Sequence, residues 1–228
     1  MAKQGFDFGR TISGAVWMLR RDIGVLGPIV LIWAVIDFAL YAADYALGLS
    51  AFSSIVTLSM FSVPLMAGAV TVMALSGGSM GTGETVQAAA ARYWPLLVCY
   101  ILSFFGTLVG FVLLVIPGLI LMVMWAVAFP ILLNEDVSPR RALGESYRRI
   151  RESFAPVAGL IALFIGLSVG VGILLGAVVP AAYDGAVGLA LGLETITTVV
   201  LGTVGAYLNV AIYSELNHVS GPDVTVFD

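Results

Sequence analysis

From Tyr93 to Leu133 the chain runs 41 residues without a charged side chain, about twice the length one membrane-spanning helix requires. A single span cannot absorb such a stretch, so it is expected to fold as two spans with a tight connection. Pro117 and Gly118 mark the expected break, because proline is tolerated in the first turn of a helix and glycine permits a backbone reversal. The composition of the whole chain agrees. Hydrophobic residues make up 60% and charged residues 11%, against about 25% charged in soluble domains. Too little polar surface is left to cover a soluble globule, so lipid is the solvent for most of the chain.

The fold class that follows is all-α, a polytopic membrane bundle forming a single domain over 1–228 with six transmembrane helices at 23–46, 52–75, 95–115, 117–133, 154–179 and 190–213. The first apolar run is longer than the core of a signal peptide and no small-residue cleavage site follows it, so it reads as a retained anchor. All ten basic residues fall on one side of this arrangement: Lys3, Arg10, Arg20 and Arg21 before the first span, Arg92 between the second and third, and Arg140, Arg141, Arg148, Arg149 and Arg151 between the fourth and fifth. Short cytoplasmic segments carry such an excess, which places both termini in the cytoplasm, the tail 214–228 included.

Three cytoplasmic segments carry helical periodicity. In 1–22, Phe8, Ile12, Ala15, Leu19 and Ile23 recur at spacings of three and four, the pattern of an amphipathic helix lying on the membrane surface. In 134–153, Ser138 and Pro139 form a helix start ahead of the apolar stripe Leu143, Tyr147, Ile150 and Phe154, with Glu145 and Arg149 paired four residues apart on the wet face. A shorter helix from Thr82 to Arg92 completes the set. Each ends in a basic residue followed by a proline at the mouth of a span, Arg21 with Pro28, Arg92 with Pro95 and Arg151 with Pro156. This suggests a pseudo-threefold repeat of a surface helix plus a two-span hairpin.

Pro117, Gly118, Trp125, Ala128, Pro130, Glu135, Ala142, Leu143 and Ser146 together resemble the shared core of the YciC-like and glycerophosphodiester phosphodiesterase membrane-domain families. The resemblance is clearest over 112–151. It implies a six-span protein of the bacterial inner membrane without a defined activity. In the phosphodiesterase members a separate soluble barrel carries the chemistry, and this chain has no room for one.

Several function classes find no support. A net charge of −4 without an extended basic stripe argues against nucleic-acid binding. The only histidine, His218, has no second ligand at metal-binding spacing, and Cys99 lies inside an apolar run as a small buried hydrophobe. No cofactor and no catalytic pair of side chains is expected, so the chain reads as a non-enzyme.

Among the acids, depth decides. At 1.5 Å per residue, Asp37 falls about 20 Å from the cytoplasmic end of the first span and Asp44 about 30 Å, while Glu194 falls about 28 Å from the cytoplasmic end of the last. Asp37 is therefore the intramembrane acid, sharing a face with Tyr41 and Asp44. It is either an ion or proton site completed by Glu194, Thr195, Thr197 and Thr198, with Asn209 further in, or a hydrogen bond pinning one span to another. Gly106 and Gly110 in the third span and Gly166, Gly170, Gly172 and Gly176 in the fifth are spaced to let helices pack closely. Tyr41, Tyr45 and Tyr183 mark the expected outer boundary and Tyr93, Trp94 and Tyr213 the inner one, whereas Trp33 and Trp125 fall mid-span and are expected to face other helices or a ligand.

Membrane lipids are the expected partners, with Arg20, Arg21, Arg92, Arg140, Arg141, Arg148, Arg149 and Arg151 as contacts for anionic headgroups. A small transporter or channel centred on Asp37 is the first alternative and an accessory subunit of a larger membrane complex the second. Homo-oligomerisation stays open.

Overall fold

The computed structural model describes residues 5–46, 59–178 and 187–220, and every element among them is an α-helix. In chain order these are α1 (Phe8–Ala46), α2 (Ser59–Leu75), α3 (Thr82–Ala91), α4 (Tyr93–Leu113), α5 (Val115–Met124), α6 (Ala128–Asn134), α7 (Pro139–Glu152), α8 (Phe154–Val178) and α9 (Val187–Ser220). Five described segments are long and apolar enough to cross a membrane: Phe8–Leu40, Tyr93–Leu113, Val115–Asn134, Phe154–Leu175 and Thr195–His218. The expected second span is described only from Ser59, and its apolar part Phe61–Leu75 is shorter than a full crossing.

The expected boundary between a surface helix at 1–22 and a span at 23–46 has no counterpart. α1 is one helix of 39 residues with Pro28 inside it. Proline removes the hydrogen bond to the carbonyl four residues back, that of Gly24, and the hydroxyl of Thr82 donates to the neighbouring Val25 carbonyl at 3.3 Å. What keeps α1 continuous is its packing: Thr11, Met18, Asp22, Leu26, Ile29, Trp33 and Asp37 are all buried, one stripe of threes, fours and sevens running through both halves. The apolar stripe expected to lie on the membrane surface is the other one, with Phe8, Ile12 and Ile23 exposed.

α9 is the spine of the bundle. It packs most extensively on α1 and also against α2, and it divides the interior into two apolar clusters. One, with Ile29, Trp33, Val70, Met73 and Tyr207, joins α1, α2, α3 and α9. The other, with Leu96, Val127, Ile131, Ile150 and Ile212, joins α4 to α9. The helix continues to Ser220, so the expected tail from 214 begins as buried helix, with Ser214, Glu215 and Leu216 all in the interior.

The turn between the third and fourth spans also shifts. Leu114 alone is extended, with φ −164° and ψ 144°, and Pro117 sits three residues later, inside the first turn of α5, where no carbonyl awaits its missing N–H. Gly118 does not make the turn. A Cβ there would lie 2.5 Å from the Phe111 ring, and one on Gly110 would lie 2.9 Å from Gly118 Cα. The glycines allow two antiparallel helices to touch at their backbones. Gly106 accepts the Trp125 ring in the same way.

The glycines of α8 behave differently. Gly166, Gly170 and Gly172 have no described atom within 4 Å of the position a Cβ would take, so they pack against no other helix among the described residues. Only the first half of α8 reaches the bundle, through Val157, Leu160 and Ile161, and beyond it Leu167, Ile173 and Leu174 are exposed. The surroundings of Gly176 lie outside the described residues.

A regularity emerges at the starts of α4 and α8. One non-helical residue, Arg92 or Ser153, separates each from the short helix before it, and Pro95 or Pro156 follows exactly three residues on. The proline stands where the new helix needs no N–H.

Candidate functional site

Four polar assemblies interrupt the apolar interior. The first clasps α1 to α9. Asp22 is 1% exposed, and its carboxylate accepts Arg21 Nε at 2.7 Å on one oxygen and Arg21 Nη2 at 2.9 Å together with the Tyr207 hydroxyl at 2.9 Å on the other. The same guanidinium lies over the Trp17 ring and reaches the Ala74 carbonyl at 3.4 Å. The turn after α2 fits against it through Gly77 and Gly78, both at positive φ; a Cβ on Gly78 would lie 2.9 Å from Asp22 Oδ1. Arg21 is thus engaged inside the protein rather than presented to headgroups. Sequence reasoning passed over Asp22 and Tyr207, whose signal was an acid on the same face as Met18 and Leu26.

At the other end of that contact, Asp7 caps α1. Its side chain accepts the Arg10 N–H at 3.0 Å, and this backbone hydrogen bond holds the carboxyl below its ordinary pKa. Buried Glu215 of α9 accepts the Asp7 N–H at 3.1 Å and Arg10 Nη1 at 3.4 Å. The first and last described helices are tied together here.

The second assembly surrounds α7. The short helices α5 and α6 are separated by Trp125, Ala126 and Val127, because Pro130 cannot donate to the carbonyl of Ala126 and Ala128 N bonds to Trp125 instead. The Met124 carbonyl left over is taken by the Ser146 hydroxyl at 2.7 Å, in the interior. Arg149 forms a fork on Glu135, 2.6 and 2.9 Å, and Tyr213 adds its hydroxyl to the same carboxylate at 3.0 Å while accepting Asn134 Nδ2 at 2.8 Å. Burial works against the Arg149 charge, but the hydrogen bonds and charge of Glu135 overcome it and hold its pKa above the ordinary value.

Two expectations are corrected here. Arg149 is a structural cation, not an open lipid contact, and its expected partner Glu145 bonds more closely to Arg148, at 2.6 Å. Tyr213 is buried in the network, and of the expected apolar stripe Leu143 and Ile150 are buried while Tyr147 is exposed.

The residues whose spacing carried the family resemblance, Trp125, Ala128, Pro130, Glu135, Ala142 and Ser146, therefore build one local unit: a broken helix whose free carbonyl and acidic end are both held by α7.

The third assembly is Asp37, also 1% exposed. Ser62 of α2 donates to its Oδ1 at 2.8 Å, while Oδ2 and the indole Nε1 of Trp33, one helical turn away, have no hydrogen-bond partner. Ser62 is the residue sequence reasoning missed; a serine two positions before the in-span Pro64 was the available signal. Of the expected companions, Thr195 is buried, Thr197 bonds back to its own helix at the Leu193 carbonyl, and Thr198 is exposed. Asn209 is half-buried on α9. The side chains of Tyr41, Asp44 and Glu194, with Tyr45 and Tyr183, lie outside the described residues.

The expected separation between Asp37 and the inner boundary narrows. Tyr93, at the start of α4, donates to the Phe61 carbonyl at 3.1 Å, one residue from Ser62. α3 folds back along α2 before α4 begins, which carries the chain toward Asp37. Ser62, Phe61, Leu65 and Tyr93 line a groove of about 480 Å³ there.

The fourth assembly is a surface. Arg140, Arg141, Arg148 and Arg151 are exposed on α7, as is Arg20 on α1, and Arg92 pairs with exposed Asp136. No group of three acids, histidines or cysteines among the described residues could hold a metal ion. Trp33 and Trp125 both face other helices, and Cys99 is buried. Comparison with protein-family models, with curated proteins and with solved structures finds no match for this chain.

Proposed function

We propose that this chain is a six-span, non-enzymatic protein of the bacterial inner membrane, built from three units of helix plus hairpin with both termini cytoplasmic, and that it organises anionic lipid. The observation that carries this reading is the outer face of α7. Arg140, Arg141, Arg148 and Arg151 stand exposed beside Tyr147, while the opposite face of the same helix is fixed by Ser146, Arg149 and Ile150. A rigid helix with one cationic side at a membrane boundary attracts phosphate headgroups. The family resemblance of residues 112–151 supports the six-span, inner-membrane part of this reading.

Each arginine near an anionic surface contributes on the order of 1 kcal/mol, so exchanging all four for glutamine is expected to lower the enrichment of anionic lipid about tenfold or more even after salt screening. Arg149 is left in place to preserve the Glu135 fork. Lipid analysis of protein purified in mild detergent reads the effect, and an unchanged anionic fraction would overturn the reading.

A second reading is favoured by one observation, the paired orphans Asp37 Oδ2 and Trp33 Nε1. A buried carboxylate oxygen without a hydrogen-bond partner suits a translocated proton or small cation, making the chain a transporter or channel. Flux into proteoliposomes is then expected to fall at least tenfold in Asp37→Asn, and a variant that moves every tested solute like the parent removes this site. An accessory role in a larger complex predicts instead that the native protein migrates with a partner in mild detergent.

A further inference from the structure

α1 and α8 meet at Phe8 and Gly159 and then separate, leaving a cleft of about 190 Å³ whose floor is α9. Ile12, Val16 and Leu19 form one wall, Leu163 and Leu167 the other, and Tyr207 the base. We propose that this cleft holds one acyl chain of an anionic phospholipid, with the headgroup at Arg20. The proposal rests on the reading of the chain as a lipid-interacting membrane protein and gives that reading a specific site.

The walls decide the chemistry of the occupant. Tyr207 brings the only hydroxyl among those six residues, and it is already bonded to Asp22 Oδ2 at 2.9 Å. The cleft therefore offers hydrocarbon and no unsatisfied polar partner, which suits an alkyl chain and rejects a polar solute. Its mouth is formed by Ile12, Val16, Leu163 and Leu167, all exposed, so the occupant enters sideways from the bilayer. Size separates a lipid chain from a helix of a second copy. One turn of a helix, about 10 Å across and 5.4 Å long, fills roughly 400 Å³, more than the cleft of about 190 Å³ holds.

Charge selects the headgroup. Arg20 follows Leu19 on α1, about 100° round the helix from it and one turn on from Val16 of the same wall. It is exposed and makes no salt bridge among the described residues. The nearby acids are already engaged: Asp22 with Arg21, and Asp7 and Glu215 with Arg10. The rim thus carries one uncompensated positive charge next to a hydrocarbon slot, the complement of an anionic lipid.

The test is native mass spectrometry of the full chain, taken into mild detergent from vesicles of equal phosphatidylglycerol and phosphatidylcholine. The parent is expected to retain one phospholipid, with phosphatidylglycerol preferred several-fold. Ala15→Trp and Leu163→Trp, which fill the cleft from opposite walls, are each expected to lower retention at least fivefold, whereas Ile173→Trp on the exposed far half of α8 leaves it intact. Arg20→Gln, which alters no packing, keeps one lipid and loses the preference for phosphatidylglycerol. Equal retention in the parent and both cleft-filling variants overturns the site. So does an unchanged preference in Arg20→Gln, or a parent that carries a second chain and no lipid. Failure of the α7 reading would show separately, as an unchanged bulk anionic fraction in the four-arginine variant.

Discussion

Arg21→Met is expected to lower the stability of the detergent-solubilised protein by about 3–5 kcal/mol, the cost typical of breaking a buried ion pair from one side. The reason is what stays behind. The Asp22 side chain is fully buried while Arg21 retains some exposure, so removing the guanidinium leaves a carboxylate in the interior with the Tyr207 hydroxyl as its remaining hydrogen-bond donor among the described residues. The methylene stem and the contact with Trp17 are partly replaced by methionine, which isolates the charge as the cause. The double variant Arg21→Met with Asp22→Leu removes the stranded charge and is expected to recover much of the loss. Thermal unfolding of the three proteins side by side checks this. A single variant that costs less than 1 kcal/mol, or a double variant worse than the single, contradicts the clasp.

Gly110→Val is the second large effect. The atoms that a Cβ would meet are Cα and N of Gly118, at 2.9 and 3.0 Å. Backbone cannot swing aside as a side chain can, so α4 and α5 must part along their length, at a cost of about 1–3 kcal/mol or more. Gly166→Ala and Gly170→Ala on α8 are the contrast. With open space at both positions, each is expected to be neutral or to gain up to about 1 kcal/mol from helix propensity. Unfolding midpoints that fall equally in all three variants would show that the two sets of glycines do the same work, against the geometry.

These two cases also show what hydropathy can and cannot reveal. The apolar runs and the helix at Pro139–Glu152 were legible because each depends on local chemistry: a length of uncharged chain, a Ser138–Pro139 start, an amphipathic stripe. The spacing of glycines in α4 and in α8 looks alike, yet only the first set has a neighbour, since the α4–α5 turn at Leu114 forces contact while the far half of α8 stands away from the bundle. The continuity of α1 was hidden by the charges at Arg20, Arg21 and Asp22, which set the expected boundary before Ile23 and are overridden by a buried stripe that α9 covers. Asp37 was legible as an acid inside an apolar segment long enough to span, and it is buried there. Its partner Ser62, and the tie between Asp22 and Tyr207, were not, because hydrogen bonds between residues 25 and 185 positions apart leave no periodic trace.

The tie between the ends of the chain also sets an order of events at the ribosome. α1 emerges first, but the Tyr207 that completes its clasp comes 185 residues later, roughly 10–40 s at the usual pace of synthesis of about 5–20 residues per second. Through that interval Asp22 has its neighbour Arg21 as a partner but not Tyr207. The clasp of α1 on α9 therefore closes only after α9 is made, and a chain cut short before α9 leaves Asp22 without its Tyr207 hydrogen bond.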